Sequence, residues 1–122
     1  MQTDAMIQAS CHCGAITLDI AQPPAEVTEC NCSICRRYGV LWAYYPCDQV
    51  EVRAETPTAS YVWGDRTIGF HRCGNCGCVT HWAAIDPARN RMAINARLLE
   101  PELVRQARLR HLDKAVTNQY LD

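Results

Sequence analysis

Along much of the chain, apolar residues recur at every second position. Ile16, Leu18 and Ile20 alternate with Ala15, Thr17 and Asp19, the pattern of a strand with one buried face. Val50 and Val52 alternate with Glu51 and Arg53 in the same way. Short runs rich in β-branched and aromatic residues follow at 40–45 (VLWAYY), 60–64 (SYVWG), 67–72 (TIGFHR), 78–84 (CVTHWAA) and 91–96 (RMAINA). Pro23-Pro24, Pro57, Gly64-Asp65 and Asp86-Pro87 punctuate them. Strands at this spacing predict a mainly β protein, a sandwich or related meander with little helix. Helix is expected only as a turn after Cys32 and a short piece around Leu98–Leu103, begun or broken by Pro101. The tail RQARLRHLDKAVTNQYLD is read as a closing strand through Leu109 and His111.

The length of 122 residues suits one domain, 1–122, with a real core. No repeat, linker or low-complexity segment divides it. No apolar run approaches the roughly 20 residues that span a bilayer. The start, MQTDAMIQAS, lacks a basic segment followed by an apolar one, so no secretory signal is read. A formal net charge of −1 gives no electrostatic reason to expect nucleic acid or an anionic membrane as partner. The expectation is a cytoplasmic protein; its oligomeric state is not legible.

Cysteine changes this bland picture. There are nine, an odd number, and seven fall into three tight groups. Disulfide scaffolds spread their cysteines to staple distant segments, whereas clustered spacing without a signal peptide favours metal. The first group, CHCG (11–14), is a weak signal alone; in extended backbone Cys11 and Cys13 point to one side. Gly14 is read as letting the chain leave without a Cβ clash. The third group, CGNCG (73–77), is a strong one, because C-x-x-C-G wraps a turn around an ion. Together Cys11, Cys13, Cys73 and Cys76 supply four thiolates, a closed tetrahedral zinc set with a structural role.

The second group is CNCSICRRYG (30–39). Cys32 and Cys35 share a face of one tight turn, and Cys30 reaches the same point from an extended segment. Three thiolates leave tetrahedral zinc one ligand short. A remote residue (Cys47, Cys78, His71, His81, His111 or a carboxylate) is one way to complete the set. An unmetallated cluster of reactive thiols is another. Three protein ligands with an exchangeable fourth position is the pattern of catalytic zinc. Arg36 and Arg37, directly behind, are placed to balance the charge of three thiolates or to bind carboxylates of a ligand, or else form a solvated pair.

The ordered motifs C-x-C-G, C-x-C-x-x-C-x-x-x-G and F-x-x-C-x-x-C-G, here CHCG, CNCSICRRYG and FHRCGNCG (70–77), resemble those of the glutathione-dependent formaldehyde-activating enzyme and centromere protein V family. The resemblance implies a zinc-bearing β-tent-type fold of two twisted antiparallel sheets, shared distantly with methionine sulfoxide reductase B. It implies two zinc ions per chain, the structural one on Cys11, Cys13, Cys73 and Cys76. The second, on Cys30, Cys32 and Cys35, would accept the thiol of glutathione as co-substrate. The implied activity is that of a carbon–sulfur lyase or S-(hydroxymethyl)glutathione synthase acting on a small thiol and an aldehyde. A thiol-binding module without turnover and a purely structural two-zinc interaction domain stay open beside it. Cys78 is an added thiol next to the structural set, and Cys47 is read as a small core residue. His12, His71 and His81 are read as strand-surface groups or groups bonded behind the ligands. Trp42, Tyr44, Trp63 and Trp82 are read as core.

Overall fold

A computed structural model describes residues 6–122. They form two sheets and two short helices. The smaller sheet has three antiparallel strands, ordered β1 (Ile7–Ser10), β2 (Ile16–Ile20), β5 (Val50–Ala54). The larger has eight: β11 (Gln119–Tyr120), β10 (Arg108–Asp113), β3 (Glu26–Cys30), β4 (Trp42–Tyr45), β9 (Met92–Asn95), β8 (Val79–Ala84), β7 (Ile68–Cys73) and β6 (Thr58–Tyr61), in that order. The mainly β, two-sheet architecture is the expected one. One pairing departs from it: β10 runs parallel to β3, and every other pair is antiparallel.

The large sheet has two different faces, and strand alternation decides which residue meets which. Ala43, Tyr45, Met92, Ile94 and Val27 point to one face and pack with Leu18 and Ile20 of the small sheet; this is the main core. Trp42, Ala93, Phe70, Trp82 and Cys30 belong to a second buried cluster on the opposite face, closed by Cys35 and Val40. That second face, with half-buried Tyr44 packed against it, carries the candidate chemistry.

Most strands lie where the alternation put them. The run at 60–64 does not: its strand is Thr58–Tyr61, starting directly after Pro57, and Trp63-Gly64 belong to the following turn. Helix α1 (Cys35–Tyr38) is the turn expected after Cys32, ended by Gly39 in the left-handed conformation (φ 69°), whose N–H donates to the Cys35 carbonyl. Helix α2 (Pro101–Gln106) starts at Pro101 rather than being broken by it, as suits a residue without an N–H. Cys47 is not a core residue. Pro46 ends β4 and turns the chain outward, leaving Cys47 exposed with its thiol 4.0 Å from the Arg89 carbonyl. No helix among the described residues is long and apolar enough to cross a membrane.

Candidate metal centres and their cavity

Two groups of cysteines converge, each with its sulfurs within 4.8 Å of one another. The first joins the two sheets. Cys11 and Cys13 lie in the turn between β1 and β2, while Cys73 ends β7 and Cys76 lies in the turn to β8. Cys11 Sγ is 3.7 Å from Cys13 Sγ, which is 3.6 Å from Cys73 Sγ. A tetrahedral ion with bonds of about 2.3 Å to sulfur requires S···S edges of about 3.8 Å, so the donor set fits zinc.

Backbone amides are aimed at these sulfurs. The N–H groups of Asn75 and Cys76 donate to Cys73 Sγ at 3.3 and 3.4 Å, and that of Ile16 to Cys11 Sγ at 3.3 Å. Such bonds favour thiolate. The Cys78 N–H, with help from that of Cys13, holds Cys76 down at about 5. Burial pushes Cys11 up to about 11. One ionised and one resisting thiol in contact is what a shared cation resolves. At Gly14 the backbone has φ 84°, and an added Cβ would meet nothing within 4 Å. The glycine is therefore required by conformation, and the expected clash does not exist.

The second group, Cys30, Cys32 and Cys35, sits where the end of β3 meets the start of α1. The Cys35 N–H donates to Cys32 Sγ at 3.4 Å, and the indole N–H of Trp42 donates to Cys35 Sγ at 3.2 Å. Cys30 is lowered to about 6, first by the hydrogen bond from Cys35, which is itself raised by the same bond and by burial. Three soft donors in one place fit a thiophilic ion such as zinc. Among the described residues no fourth ligand joins them. Cys47 is remote on the surface, and Cys78 packs with Cys11 and Cys73 at the first centre. His111 is engaged by Asp122 (2.7 Å). For His71 and His81 the expectation is a strand-surface group or one bonded behind the ligands; His81 is buried and His71 half-buried, and the two rings stack 4.6 Å apart on the face of β7 and β8 away from the cavity. His12 is exposed.

These three cysteines border a cavity of about 420 Å³. Phe70 and Trp82, paired across β7 and β8, form one wall with Trp42 and Tyr44. Trp63, 40% exposed, closes it from the β6–β7 turn. The reading of these aromatics as plain core therefore needs correction. Trp42 and Trp82 are buried, but all of them, including Tyr44 and Trp63, face this space. Arg36 and Arg37 do not line it. Cys35 faces inward, and one or two residues further along a helical turn the side chains face out. Arg37 donates to the Ser33 carbonyl at 2.8 Å and borders a shallower groove beside Tyr61 and Trp63. The cations of the cavity are Arg91 and Lys114, which no motif had singled out. The only sequence signal for them was position: each flanks a strand that ends at the site.

A model of the family described as glutathione-dependent formaldehyde-activating enzyme (GFA) matches residues 6–111. The chain belongs to this family. The match spans both cysteine centres and the strands from β1 to β9, so the GFA motifs and the folded geometry describe the same unit. The crystal structure of a Rhodobacter sphaeroides protein is similar, with 25% sequence identity and a TM-score of 0.68, over 84% of this chain and 99% of that one. No curated protein matches the chain.

Proposed function

We propose that this GFA-family chain acts on a thiol–aldehyde adduct, making or cleaving its carbon–sulfur bond as a carbon–sulfur lyase of the S-(hydroxymethyl)glutathione synthase type. Glutathione is the proposed thiol co-substrate, and its sulfur would take the fourth position beside Cys30, Cys32 and Cys35. The observation that carries the reading is that these three thiols open onto an apolar cavity with no fourth protein ligand among the described residues. Zinc bound there would supply a lowered thiol pKa, so that a thiolate exists at neutral pH. The chain's own residues do the rest. Trp42 fixes the orientation of Cys35 through its indole N–H. The walls of Phe70, Trp82 and Trp63 exclude water from a thiolate and so strengthen its attraction to neighbouring charge. Lys114 already lowers Cys30 through its field and would favour a second sulfur anion beside it.

Exchange NMR of glutathione with formaldehyde tests the proposal, with and without protein holding two equivalents of zinc. Accelerated exchange that is lost in Cys32→Ser supports it, and no acceleration by the fully loaded protein sinks it. A second reading, thiol capture without turnover, draws on Asp65. This carboxylate on the lining is engaged by the Thr67 hydroxyl at 2.8 Å, which lowers its pKa and makes it a poor proton donor. Thermal stabilisation by glutathione without exchange catalysis would select that alternative.

A further inference from the structure

Asn31 is the intervening residue of the Cys30–Cys32 motif, and a turn 82–84 residues further along engages it from two sides. Its side-chain NH₂ donates to Asp113 Oδ1 at 2.8 Å, and its side-chain carbonyl accepts from the Ala115 N–H at 2.9 Å. Its backbone N–H donates to the Leu112 carbonyl at 3.2 Å. These contacts bracket Lys114, the residue between Asp113 and Ala115. Strand order makes them possible. β3 and β10 run parallel with Cys30 beside Leu112, so both segments leave their strands at the same end of the sheet.

The turn closes on itself through the N–H groups of Thr117 and Asn118, which donate to the Asp113 carbonyl at 3.1 and 2.7 Å. That closure shapes the turn without fixing it to the site, and Val116 within it is 82% exposed and supplies no apolar anchor. The Asn31 amide does fix it. A planar amide offers a donor and an acceptor in set directions, and here each meets a residue flanking Lys114. A carboxylate in its place would offer no donor to Asp113. Hydrogen bonds open to solvent contribute modestly to stability, so the consequence of this pair is chiefly where Lys114 is held.

Lys114 lines the cavity together with Cys30 and Cys32 and makes no salt bridge among the described residues. It touches Asn118 Oδ1 at 3.4 Å. Asp65, the acidic residue of the lining, is engaged by the Thr67 hydroxyl instead. An ammonium without an ion-pair partner beside a thiol site suits a ligand with negative charge near its sulfur. Glutathione carries its sulfur on the middle residue and a carboxylate at each end. We infer that Asn31 is a positioning residue for this co-substrate. It holds the β10–β11 turn so that Lys114 meets one terminal carboxylate while the sulfur lies at Cys30, Cys32 and Cys35. The inference rests on the glutathione reading above. Arg91, whose guanidinium lies 4.7 Å from the centre of the Tyr44 ring, is placed independently of Asn31 and supplies the comparison.

The test is a tryptophan-fluorescence titration, since Trp42, Trp63 and Trp82 all line the cavity. The full chain holding two equivalents of zinc is titrated with glutathione and with glutathione diethyl ester, which keeps the thiol and lacks both carboxylates. Glutathione should bind about ten-fold or more tightly than the diester. Lys114→Gln and Asn31→Ala should each cut that preference by about three-fold or more, with the affinity for the diester nearly unchanged. Asn31→Ala added to Lys114→Gln should weaken glutathione no further, whereas added to Arg91→Gln its loss should multiply. Asn31→Asp together with Asp113→Asn restores a donor and an acceptor across the same gap and should recover most of the preference. Asp113→Ala removes the clamp from its far side and takes the place of Asn31→Ala if that variant fails to hold zinc. Equal binding of glutathione and diester, equal losses for both in Asn31→Ala, or multiplying losses for Asn31 and Lys114 overturns the inference and leaves the glutathione reading standing. The coupled preference without accelerated formaldehyde exchange sinks the catalytic reading and supports the positioning role. No binding of glutathione overturns both.

Discussion

The first cysteine centre should act as a clamp whose strength follows from the length of chain it closes. Cys13, in the β1–β2 turn, and Cys73, at the end of β7, are 60 residues apart and belong to different sheets, with sulfurs 3.6 Å apart. Replacing Cys73 and Cys76 together by serine keeps the side-chain volumes close and releases the β7–β8 turn from the β1–β2 turn. Treated as a cross-link, closing a loop of this length removes about 4 kcal/mol of unfolded-chain entropy. The second centre closes only the six residues from Cys30 to Cys35, for which the same relation gives about half as much. A domain of this size holds roughly 5–15 kcal/mol in all, so the double variant should lose a large share. At roughly 2–8 °C per kcal/mol, the melting temperature should fall by about 10 °C or more. The assay is a circular-dichroism melt of zinc-loaded protein, comparing the double serine variant with Cys32→Ser. The variant at the first centre should melt well below the other. Equal losses, or a fall of under about 3 °C at the first centre, would refute the reasoning from loop length.

Two further outcomes follow from single contacts. Trp42→Phe keeps a buried aromatic ring but deletes the N–H that donates to Cys35 Sγ at 3.2 Å. Zinc affinity of the second centre should drop about 10-fold or more in chelator competition, with the first centre unchanged. His81 is buried beside His71, and burial followed by the charge of His71 lowers it from 6.5 to about 4. Between those values the unfolded chain takes up a proton that the folded chain refuses. Stability present above pH 6.5 is therefore lost as pH falls toward 4, by about 3 kcal/mol. Denaturant unfolding from pH 7 to 4.5 should show a shallower loss in His81→Gln than in the unsubstituted protein. Parallel slopes would remove His81 from the account.

Much of this protein is determined by local pattern. Strict alternation at Ile16–Ile20 and Val50–Ala54 marks strands because period two has one structural meaning when one face is buried. The C-x-C-G and C-x-x-C-G spacings determine which thiols converge, because a turn brings its own sulfurs together without help from the rest of the chain. The turn after Cys32 is local in the same sense. EVTEC (26–30) escaped such reading, since its strand exists by pairing with β4 on one side and β10 on the other. The parallel β3–β10 pairing joins segments some 80 residues apart, and no local pattern encodes it.

The same division runs through the second centre. Sequence supplied the three thiols, but proximity to two arginines in the chain misled, because helical geometry turns Arg36 and Arg37 away from Cys35. The residues that face those thiols, Trp63, Trp82, Arg91 and Lys114, come from four separate segments. Their identities as core or site depend on which side of an eight-stranded sheet they occupy, and that side is set by strand order and register. Thiols gathered by one turn are written in sequence; a cavity walled by non-local pairing exists only once the sheet has closed around it.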